Sequence, residues 1–519
     1  MCKGTSVSAL VLLCLTAGWG NVLCQTDQFP IELAQGVMAG EVDVDSAILQ
    51  SRLTSTNSHV DPRWSGVIGA PGVACFELAT NPVYRDSFRT KWLAAVPEYD
   101  FIVKTKVKGL RPGTRYYYRL VYGVDRNSLR KSQTCTFRTH SGRNVADRVS
   151  LAIITCMHYS AFHAMGRYYW GPYVPPYAGK DKDLGYPALE AIMKLKPDLF
   201  IGTGDNVYLD EPPEGRAETQ QQIRKKYQEQ FSQPRLISLF AQVPTYWEKD
   251  DHDFRFNDSD PINPYLPWQK VSEEDYSQHL PDPRISGSGE LPTHTTAVRL
   301  FREQLPVTDP EDQNPVTYRT LRVNKLVQIW LVEGRDYRSR NDLPDGPEKT
   351  IWGKAQKEWL KRTLLESDAS FKLLISPTPL VGPDSRTKRD NHVNPRGFRY
   401  EGEEFLGWLS DHRFPQKGLC IINGDRHWKY HSIHPSGVEE FSCGALDITN
   451  SVLGFRPGDP DSSDPEGRIK QPYLNARPTG GFLMVTAQPE ENSKATLTLT
   501  FYDEKGSCLY RHKKAPTVN

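Results

Sequence analysis

The fold of this chain is decided by three acidic stretches, Gly204-Asp205-Asn206-Val207-Tyr208, Lys249-Asp250-Asp251-His252-Asp253 and Gly424-Asp425-Arg426-His427. Each follows an apolar run that predicts a buried strand, so each lies where a strand ends in a loop. A fourth stretch, Thr155-Cys156-Met157-His158, ends another such strand. We expect these strand ends to bring a thiolate, several carboxylates, a phenol and imidazoles to one edge of a sheet. This mixture of ligands suits a two-metal hydrolytic site.

The sequence around these stretches alternates between short apolar runs and helical patterns. The runs predict strands at residues 149–155, 199–202, 243–247, 326–332, 371–375 and 419–422. Helices are predicted at residues 187–195, 218–231, 236–240, 354–365 and 403–409. Strands and helices that alternate in this way indicate α/β layers. Two further strands are predicted near the C-terminus, at 481–486 and 495–502.

Residues 29–140 have a different, all-β pattern. Polar and apolar side chains alternate over residues 101–110, which predicts a half-buried strand. The turn at Pro112-Gly113 then leads into the aromatic run Tyr116-Tyr117-Tyr118, a frequent corner in fibronectin-type and immunoglobulin-type sandwiches. We therefore predict a small β-sandwich domain at 29–140 and a catalytic α/β domain at 148–510, joined by a polar link.

The composition excludes several classes of protein. The 519 residues are too many for one ordinary core, while 38% hydrophobic and 24% charged residues are typical of a globular protein. A formal net charge of +1 gives no broad field that attracts nucleic acid, so we expect no dedicated nucleic-acid surface. Beyond the N-terminus no run approaches about 18 apolar residues, so no membrane span is expected.

The N-terminus is typical of an export signal. Lys3 precedes an apolar run at 8–18 that is too short to span a bilayer. We predict that residues 1–24 are a signal peptide, cleaved after Gly20 or Cys24, and that the protein is periplasmic or extracellular. Export makes disulfides possible. Cys75 and Cys135 lie in one region and could pair, and the sequence leaves that pairing open.

The first two acidic stretches favour metal binding over a structural turn or a surface charge run. Asp205 and Tyr208 offer a carboxylate and a phenolate, a hard oxygen pair that suits a ferric ion. The carboxylates at 250, 251 and 253 would repel one another unless a cation balanced them. In an extended chain Asp251 and Asp253 would point one way and His252 the other.

The remaining two stretches repeat one spacing. Asp425 and His427 are one residue apart, which places both on the same side of an extended segment, and Cys156 and His158 share that spacing. A lone Cys at the end of a strand is also common in plain cores. Whether His158 or His392 is a ligand stays open. Asp459, Asp461 and Asp464 do not match a calcium loop and favour a solvated loop.

Taken in order, the four stretches resemble the metallophosphoesterases, and within them the PhoD-like alkaline phosphatases. The Gly-Asp and Tyr of that family appear as Gly204-Asp205 and Tyr208, and its Trp-Asp-Asp-His-Glu appears at 249–253. Its Gly-Asp-x-His appears at 424–427, and its Ser-Cys as Thr155-Cys156. The segment 333–338 resembles the family's Asp-Thr-Arg-x-Tyr-Arg. This chain departs from the pattern at Lys249 (usually Trp), Glu333 (usually Asp) and Gly334 (usually Thr), and it carries an aromatic insertion at 159–177.

The resemblance implies a four-layer α/β sandwich and a metal-dependent phosphatase acting on phosphate esters. By analogy a ferric ion (Fe3+) is held by Cys156, Asp205, Tyr208 and His427, and calcium (Ca2+) by Asp205, Asp251 and Asp425. The cations would polarise the phosphoryl group and activate an attacking water. His252 would protonate the leaving alkoxide or stabilise the phosphoryl oxygens. Arg335 and Arg338 could clamp phosphate or form ordinary salt bridges.

Two other classes remain open from the sequence. One is a phosphodiesterase with the same metals and a wider groove for two ester arms. The other is a secreted binding protein that keeps this fold after losing catalysis, which missing metal ligands would reveal.

Overall fold

The computed structural model describes residues 30–56, 67–167, 173–261, 292–491 and 494–517. The predicted signal peptide and the Tyr168-Tyr169-Trp170 centre of the aromatic insertion lie outside the described residues. Two large mixed sheets carry most of the fold. We name them sheet A, with nine strands, and sheet B, with seven.

The strands of sheet A are, in spatial order, Cys508–Lys514, Ala495–Asp503, Gly481–Pro489, Val149–Ile154, Leu199–Thr203, Thr245–Glu248, Val37–Gly40, Ser46–Arg52 and Ile102–Lys108. Those of sheet B are Arg319–Arg322, Val327–Leu331, Phe371–Ser376, Leu419–Asn423, Glu439–Cys443, Lys429–Ile433 and Lys470–Leu474. Both sheets are parallel at their centres and antiparallel at their edges. The parallel strands therefore end at one edge of each sheet.

Helices connect these strands and cover the sheets. The described α-helices are Pro187–Leu195, Gln220–Phe231, Pro234–Phe240, Asp251–Phe254, His294–Gln304, Gly353–Leu365 and Arg399–Asp411. Short 3-10 turns lie at Pro97–Tyr99, Lys182–Leu184, Pro213–Gly215 and Ile448–Asn450, and a π turn lies at Ala161–Met165. None of the described helices combines the length and the apolar character needed to cross a membrane.

Three clusters of buried apolar side chains fix how the elements pack. The largest joins facing residues of both sheets, such as Ile153 of sheet A and Ile375 of sheet B. A second covers the other face of sheet A, where Phe200 packs with the helices Pro187–Leu195 and Gln220–Phe231. A third covers the other face of sheet B with the helices Gly353–Leu365 and Arg399–Asp411. Alternate residues of each central strand thus serve two different cores.

The N-terminal region is all-β, as predicted, but its strands are shared between sheets. Val37–Gly40 pairs in parallel with Thr245–Glu248, and Ser46–Arg52 and Ile102–Lys108 follow it at the edge of sheet A. The remaining strands form a six-stranded sheet (Leu129–Lys131, Arg115–Gly123, Gly72–Ala79, Phe88–Arg89, Leu93–Ala95 and Cys135–Arg138) and a pair (Ile31–Glu32 and Thr54–Ser55). This region is therefore continuous with sheet A.

The disulfide considered between Cys75 and Cys135 is not formed. Both residues are buried free thiols. Burial raises the pKa of the Cys135 thiol to about 12, so each side chain serves as a small apolar core residue.

The two sheets meet where their parallel strands end. The Thr155 hydroxyl donates to the carbonyl oxygens of Thr203 and Gly204, at 3.2 and 3.0 Å. On the facing sheet the backbone N–H of Gly424 donates to the carbonyl oxygen of Ser376. A Cβ atom added at Gly424 would lie 2.0 Å from the Thr203 carbonyl oxygen. Only glycine allows this approach, which brings the ends of sheet A and sheet B into one site.

We predict that Gly424→Ala destabilises the protein, because the new methyl group meets backbone atoms that cannot move aside. The expected loss in the free energy of unfolding is about 1–3 kcal/mol, measured by urea unfolding in the presence of a chelator. The matched control is Gly407→Ala, at an open position of the helix Arg399–Asp411. It should be neutral or stabilising by up to about 1 kcal/mol. Equal effects of the two substitutions would contradict the close approach at Gly424.

Candidate metal centre

Three of the predicted ligands have a strained backbone. Cys156, Asp205 and Asp425 adopt φ angles of 57°, 53° and 60°, in the left-handed region. Each lies two residues beyond a strand end. This conformation costs roughly 1–2 kcal/mol for a residue with a Cβ atom, and it turns the chain sharply. The fold therefore sustains strain at three strand ends that aim polar side chains into one space.

The first group of ligand atoms contains sulfur, oxygen and nitrogen. The Cys156 Sγ lies 3.4 Å from Asp205 Oδ2, and the Tyr208 hydroxyl lies 3.1 Å from the same oxygen. His427 Nε2 is 3.5 Å from the Tyr208 hydroxyl. The other ring nitrogen of His427 lies 2.7 Å from the Asn450 carbonyl oxygen, which can only accept, so Nδ1 carries the proton. Nε2 is then free as a ligand, an arrangement typical of metal-binding histidines.

A second group of ligands adjoins the first through Asp205. Ligand atoms of Asp205, Asp251 and His252 all lie within 4.8 Å of one another, and Cys156, Asp205 and His427 satisfy the same limit. Asp251 in turn groups with Asp250 and Asp425, and with Asp258 and Asp390. All six predicted metal ligands thus lie in one connected cluster, with Asp205 between its two halves.

The acidic run at 250–253 is not extended, so the alternation expected there is wrong. Asp251–Phe254 is one helical turn, with a capping box between Asp250 and Asp253. Asp253 accepts hydrogen bonds from the backbone N–H groups of Asn206, Val207 and Asp250 at 2.8–3.0 Å. The side chains of Asp250 and Asp253 take part in this capping box, and the side chain of Asp251 faces the cluster.

Arg335 lies behind the carboxylates rather than in front of them. Its side chain is completely buried, and its donors reach Asp250 Oδ1 at 2.6 Å and the Ser259 carbonyl oxygen at 2.9 Å. The buried Arg338 donates to the carbonyl oxygen of Gly334. Neither arginine lines the cavity in front of the cluster. The geometry therefore favours a role for Arg335 in positioning Asp250 over contact with phosphate.

His252 is held by a carboxylate that the sequence analysis did not single out. Its Nδ1 lies 2.6 Å from Asp210 Oδ1, and its ring stacks on Tyr208 with centroids 4.2 Å apart. Burial alone would lower the pKa of His252, but Asp210, Asp251 and Asp205 outweigh it and hold that pKa well above its ordinary value. The surrounding carboxylates therefore favour the protonated form of His252.

The electrostatics of Asp205 fit a bound cation. Burial raises the pKa of its carboxyl well above the ordinary value, and the charges of Asp251, Asp250 and Asp425 raise it further against the opposing effect of His252. Within the described residues its Oδ1 atom is buried and has no hydrogen-bond partner. A buried carboxylate oxygen without a partner is costly, and a metal ion would satisfy it.

The comparisons with known proteins agree with this geometry. Residues 151–455 match the PhoD-like phosphatase family, and residues 21–141 match the N-terminal domain of PhoD-like phosphatases. The chain belongs to the PhoD-like phosphatase family. The resemblance seen in the sequence is confirmed.

Relatives of this PhoD-like chain include alkaline phosphatase D of Bacillus subtilis (strain 168), 22% identical over 521 residues, which is 94% of this chain and 81% of the relative. The solved structure of PhoD superposes with a TM-score of 0.68 and 19% identity, covering 94% of this chain and 90% of that one. Purple acid phosphatase PPD1 from yellow lupin (Lupinus luteus) seeds gives a TM-score of 0.57 and 11% identity, covering 92% and 73%. At these identities the structural likeness shows a shared fold.

Two of the residues at which this PhoD-like chain departs from its family pattern, Lys249 and Glu333, contact each other. The ammonium of Lys249 pairs with the Glu333 carboxylate and lies 2.6 Å from Asp336 Oδ1, all three side chains being buried. A lysine without such a partner would be costly here. The residues at 249 and 333 therefore form one buried ion pair, which directly precedes Asp250 in the chain.

A cavity of about 560 Å³ opens in front of the cluster. Tyr208, His252, Asp425 and His427 line its floor. The lining also includes three cationic side chains, Arg167, Lys388 and Arg426, and an apolar wall of Met165, Trp428, Val452, Leu453 and Phe455. Asp210 and Asn450 also line the cavity. Sequence reasoning missed Asp210, Lys388 and Asn450. The signal for Asp210 was its place two residues after Tyr208.

His158 and His392, whose roles the sequence left open, have different surroundings. His158 stacks on Tyr208 with ring centroids 4.0 Å apart, so it supports the phenol. His392 is buried against Trp352, and its Nε2 lies 3.1 Å from Glu401. Neither belongs to a group of converging metal ligands in the described part of the chain.

We predict that Asp205→Asn stabilises the metal-free protein and abolishes metal binding. Its folded-state pKa is raised, so ionisation opposes folding once the pH rises through that pKa. The gain should therefore be about 0.5–2 kcal/mol at high pH and absent at low pH, where the wild-type carboxyl is protonated. Chelator-treated samples unfolded in urea, with metal content measured in parallel, check both effects.

The matched control is Asp384→Asn. Asp384 Oδ1 accepts from Arg426 at 2.5 Å, so loss of its charge removes one of the two carboxylates that pair with this buried guanidinium and should destabilise the protein. If both substitutions destabilise the metal-free protein equally, Asp205 carries no unbalanced charge.

Proposed function

We propose that the protein hydrolyses phosphate esters at the cluster of Cys156, Asp205, Tyr208, Asp251, Asp425 and His427. The observation that supports this most strongly is Asp205, a buried carboxylate with ligand groups on both sides and one oxygen without a partner. Membership of the PhoD-like phosphatase family supplies the reaction class. The same cluster argues against a binding protein that has lost its metal ligands.

The donor atoms suggest two kinds of ion. Thiolate, phenolate and imidazole from Cys156, Tyr208 and His427 would hold Fe3+ together with Asp205, and the carboxylates of Asp205, Asp251 and Asp425 would hold Ca2+. When bound, such cations polarise a phosphoryl group and lower the pKa of a coordinated water. We also propose that the three apolar cores make a four-layer helix–sheet–sheet–helix sandwich, and that the chain is exported.

His252 is proposed as the general acid. It lines the cavity, and Asp210 and Asp251 hold its imidazole protonated. Its proton would pass to the leaving ester oxygen as the phosphorus–oxygen bond breaks. Asp210 acts through His252 as a positioning residue, because its carboxylate fixes the ring through Nδ1.

Arg167 is proposed as the residue that binds phosphoryl oxygens, in place of Arg335. Its guanidinium is buried in the cavity wall, where it donates to the Ser451 carbonyl oxygen. In the described part of the chain it forms no ion pair, and its Nε atom has no partner. Arg426 and Lys388, by contrast, are already paired with carboxylates. A buried guanidinium that forms no ion pair is suited to binding an anionic ligand.

A diester substrate is the second candidate. The cavity of about 560 Å³ is larger than a phosphate group needs, and its wall of Trp428, Val452, Leu453 and Phe455 has room for an organic group. Activity on paired mono- and diesters that share one leaving group would separate these two functions.

We predict that His252→Ala lowers turnover by about 10²–10⁴-fold and leaves metal content nearly unchanged. The loss should be smallest for nitrophenyl phosphate, whose leaving group needs little protonation. Asp210→Asn should move the alkaline limb of the pH profile to lower pH, because it removes a charge that raises the pKa of His252.

Turnover and metal content of the His252→Ala variant together decide the role of that residue. Its ligand atom also groups with Asp205 and Asp251. Loss of metal together with activity would make His252 a ligand and refute its role as an acid.

We predict that Arg167→Ala raises KM and lowers kcat/KM by about 10–100-fold, because a hydrogen bond to a charged group is worth about 1.5–3 kcal/mol. Arg167→Lys should restore part of the loss. Steady-state kinetics and phosphate inhibition check this. The control is Arg386→Ala, since Arg386 is exposed and donates to the carbonyl oxygen of Pro460. Identical kinetics for Arg167→Ala and Arg386→Ala would exclude Arg167 from substrate binding.

A further inference from the structure

A second set of potential ligands lies far from the catalytic cluster. It consists of His431 in the strand Lys429–Ile433, Glu439 at the start of Glu439–Cys443, and His512 in Cys508–Lys514. The first two strands belong to sheet B and the third is the edge strand of sheet A. The parallel register with Leu419–Asn423 places Glu439 beside Cys420, about 10 Å before the end of that strand at Asn423, and Asp425 lies two residues beyond that end.

The three ligand atoms converge on one point. His431 Nε2 lies 3.0 Å from Glu439 Oε2, and His512 Nε2 lies 2.9 Å from the same oxygen. All three atoms lie within 4.8 Å of one another. Ligands around a tetrahedral zinc ion at about 2.0–2.1 Å stand about 3.3 Å apart. Small side-chain shifts would therefore seat an ion between them.

The neighbours of these side chains hold the ligand atoms in place. The Tyr510 hydroxyl lies 3.0 Å from His431 Nδ1, and the His431 ring stacks on Phe441. The Lys514 ammonium donates to Glu439 Oε1 at 2.7 Å and leaves Oε2 to the histidines. Such contacts to the second nitrogen and second oxygen orient metal ligands in proteins.

The three side chains differ in their access to solvent. The side chain of His431 is 1% exposed, that of Glu439 14% and that of His512 26%. The site is thus enclosed on one side and open to solvent at His512.

We propose that His431, Glu439 and His512 form a structural zinc site that ties the C-terminal edge strand of sheet A to sheet B. Two imidazoles and one carboxylate are a common zinc ligand set, with water in the fourth position. Among the described strands, Cys508–Lys514 pairs with Ala495–Asp503 of sheet A and with neither ligand-bearing strand of sheet B, so binding of the ion stabilises the packing of the two sheets. The site is separate from the catalytic cluster and does not depend on the proposed reaction.

The test uses the purified protein with Asp205→Asn, so that the catalytic cluster contributes least. Zinc content after dialysis against zinc alone is compared between this variant and the same variant carrying His512→Gln. We expect the added substitution to remove one zinc ion per chain, and zinc to raise the Tm by roughly 3 °C only where His512 is present. His434→Gln is the matched control, because His434 contacts Ser436 and Glu403 outside the site. It should keep the ion.

A second measurement covers the case in which His512→Gln does not fold. Cobalt bound to the Asp205→Asn protein should give the intense visible absorption of a tetrahedral ion, and zinc should displace it. Equal zinc content with and without His512, or cobalt that shows only octahedral absorption, would overturn the proposal. The three residues would then be an ordinary hydrogen-bonded cluster around Glu439.

Discussion

The structure depends on one electrostatic constraint, which is the burial of several carboxylates where two sheets meet. Asp205, Asp250, Asp251, Asp390 and Asp425 are all nearly inaccessible to solvent. Carboxylates this close cannot all remain ionised without positive charge nearby. The protein supplies part of that charge itself. The remaining negative charge favours bound cations, which agrees with the family relationship and with the donor atoms of the cluster.

The internal cations divide the carboxylates into two classes. Arg335 pairs with Asp250 and approaches Asp390, while Lys388 pairs with Asp258 and Arg426 pairs with Asp384 and Asp425. Arg335 lies behind the site and also approaches Asp251 at 3.7 Å, whereas Lys388 and Arg426 line the cavity in front of it. Asp205 forms no ion pair with a lysine or arginine in the described part of the chain, and it lies against Cys156, Tyr208 and His252. The strained backbones at Cys156, Asp205 and Asp425 add to the cost that the fold sustains there. Strained backbones and closely packed buried charges at one place are typical of a functional site.

The strand ends and their ligands could be predicted because two independent signals coincide there. An apolar run fixes the strand, and Gly204-Asp205 or Gly424-Asp425 marks where it stops. The helical turn at Asp251–Phe254 was missed, although Asp250 and Asp253 have the spacing of a capping box. The motif around Arg335 suggested contact with phosphate. The buried position of the Arg335 side chain depends on contacts with Asp250 and Ser259, which are distant in sequence. Asn450, Lys388 and Arg167 lie in loops without any periodic pattern, so nothing local marked them. The merger of N-terminal strands with sheet A was also beyond the sequence, because alternation shows a strand without showing its partner.

The most direct test of this account is the phosphatase turnover of the purified protein after its metals have been removed by a chelator and then restored. The metal-free protein should keep its fold, shown by an unchanged circular dichroism spectrum, and lose turnover on nitrophenyl phosphate. Turnover should return when iron and calcium are added back. A metal-free protein that hydrolyses the ester at the original rate would show that the buried carboxylates do not act through bound cations, and it would contradict the account.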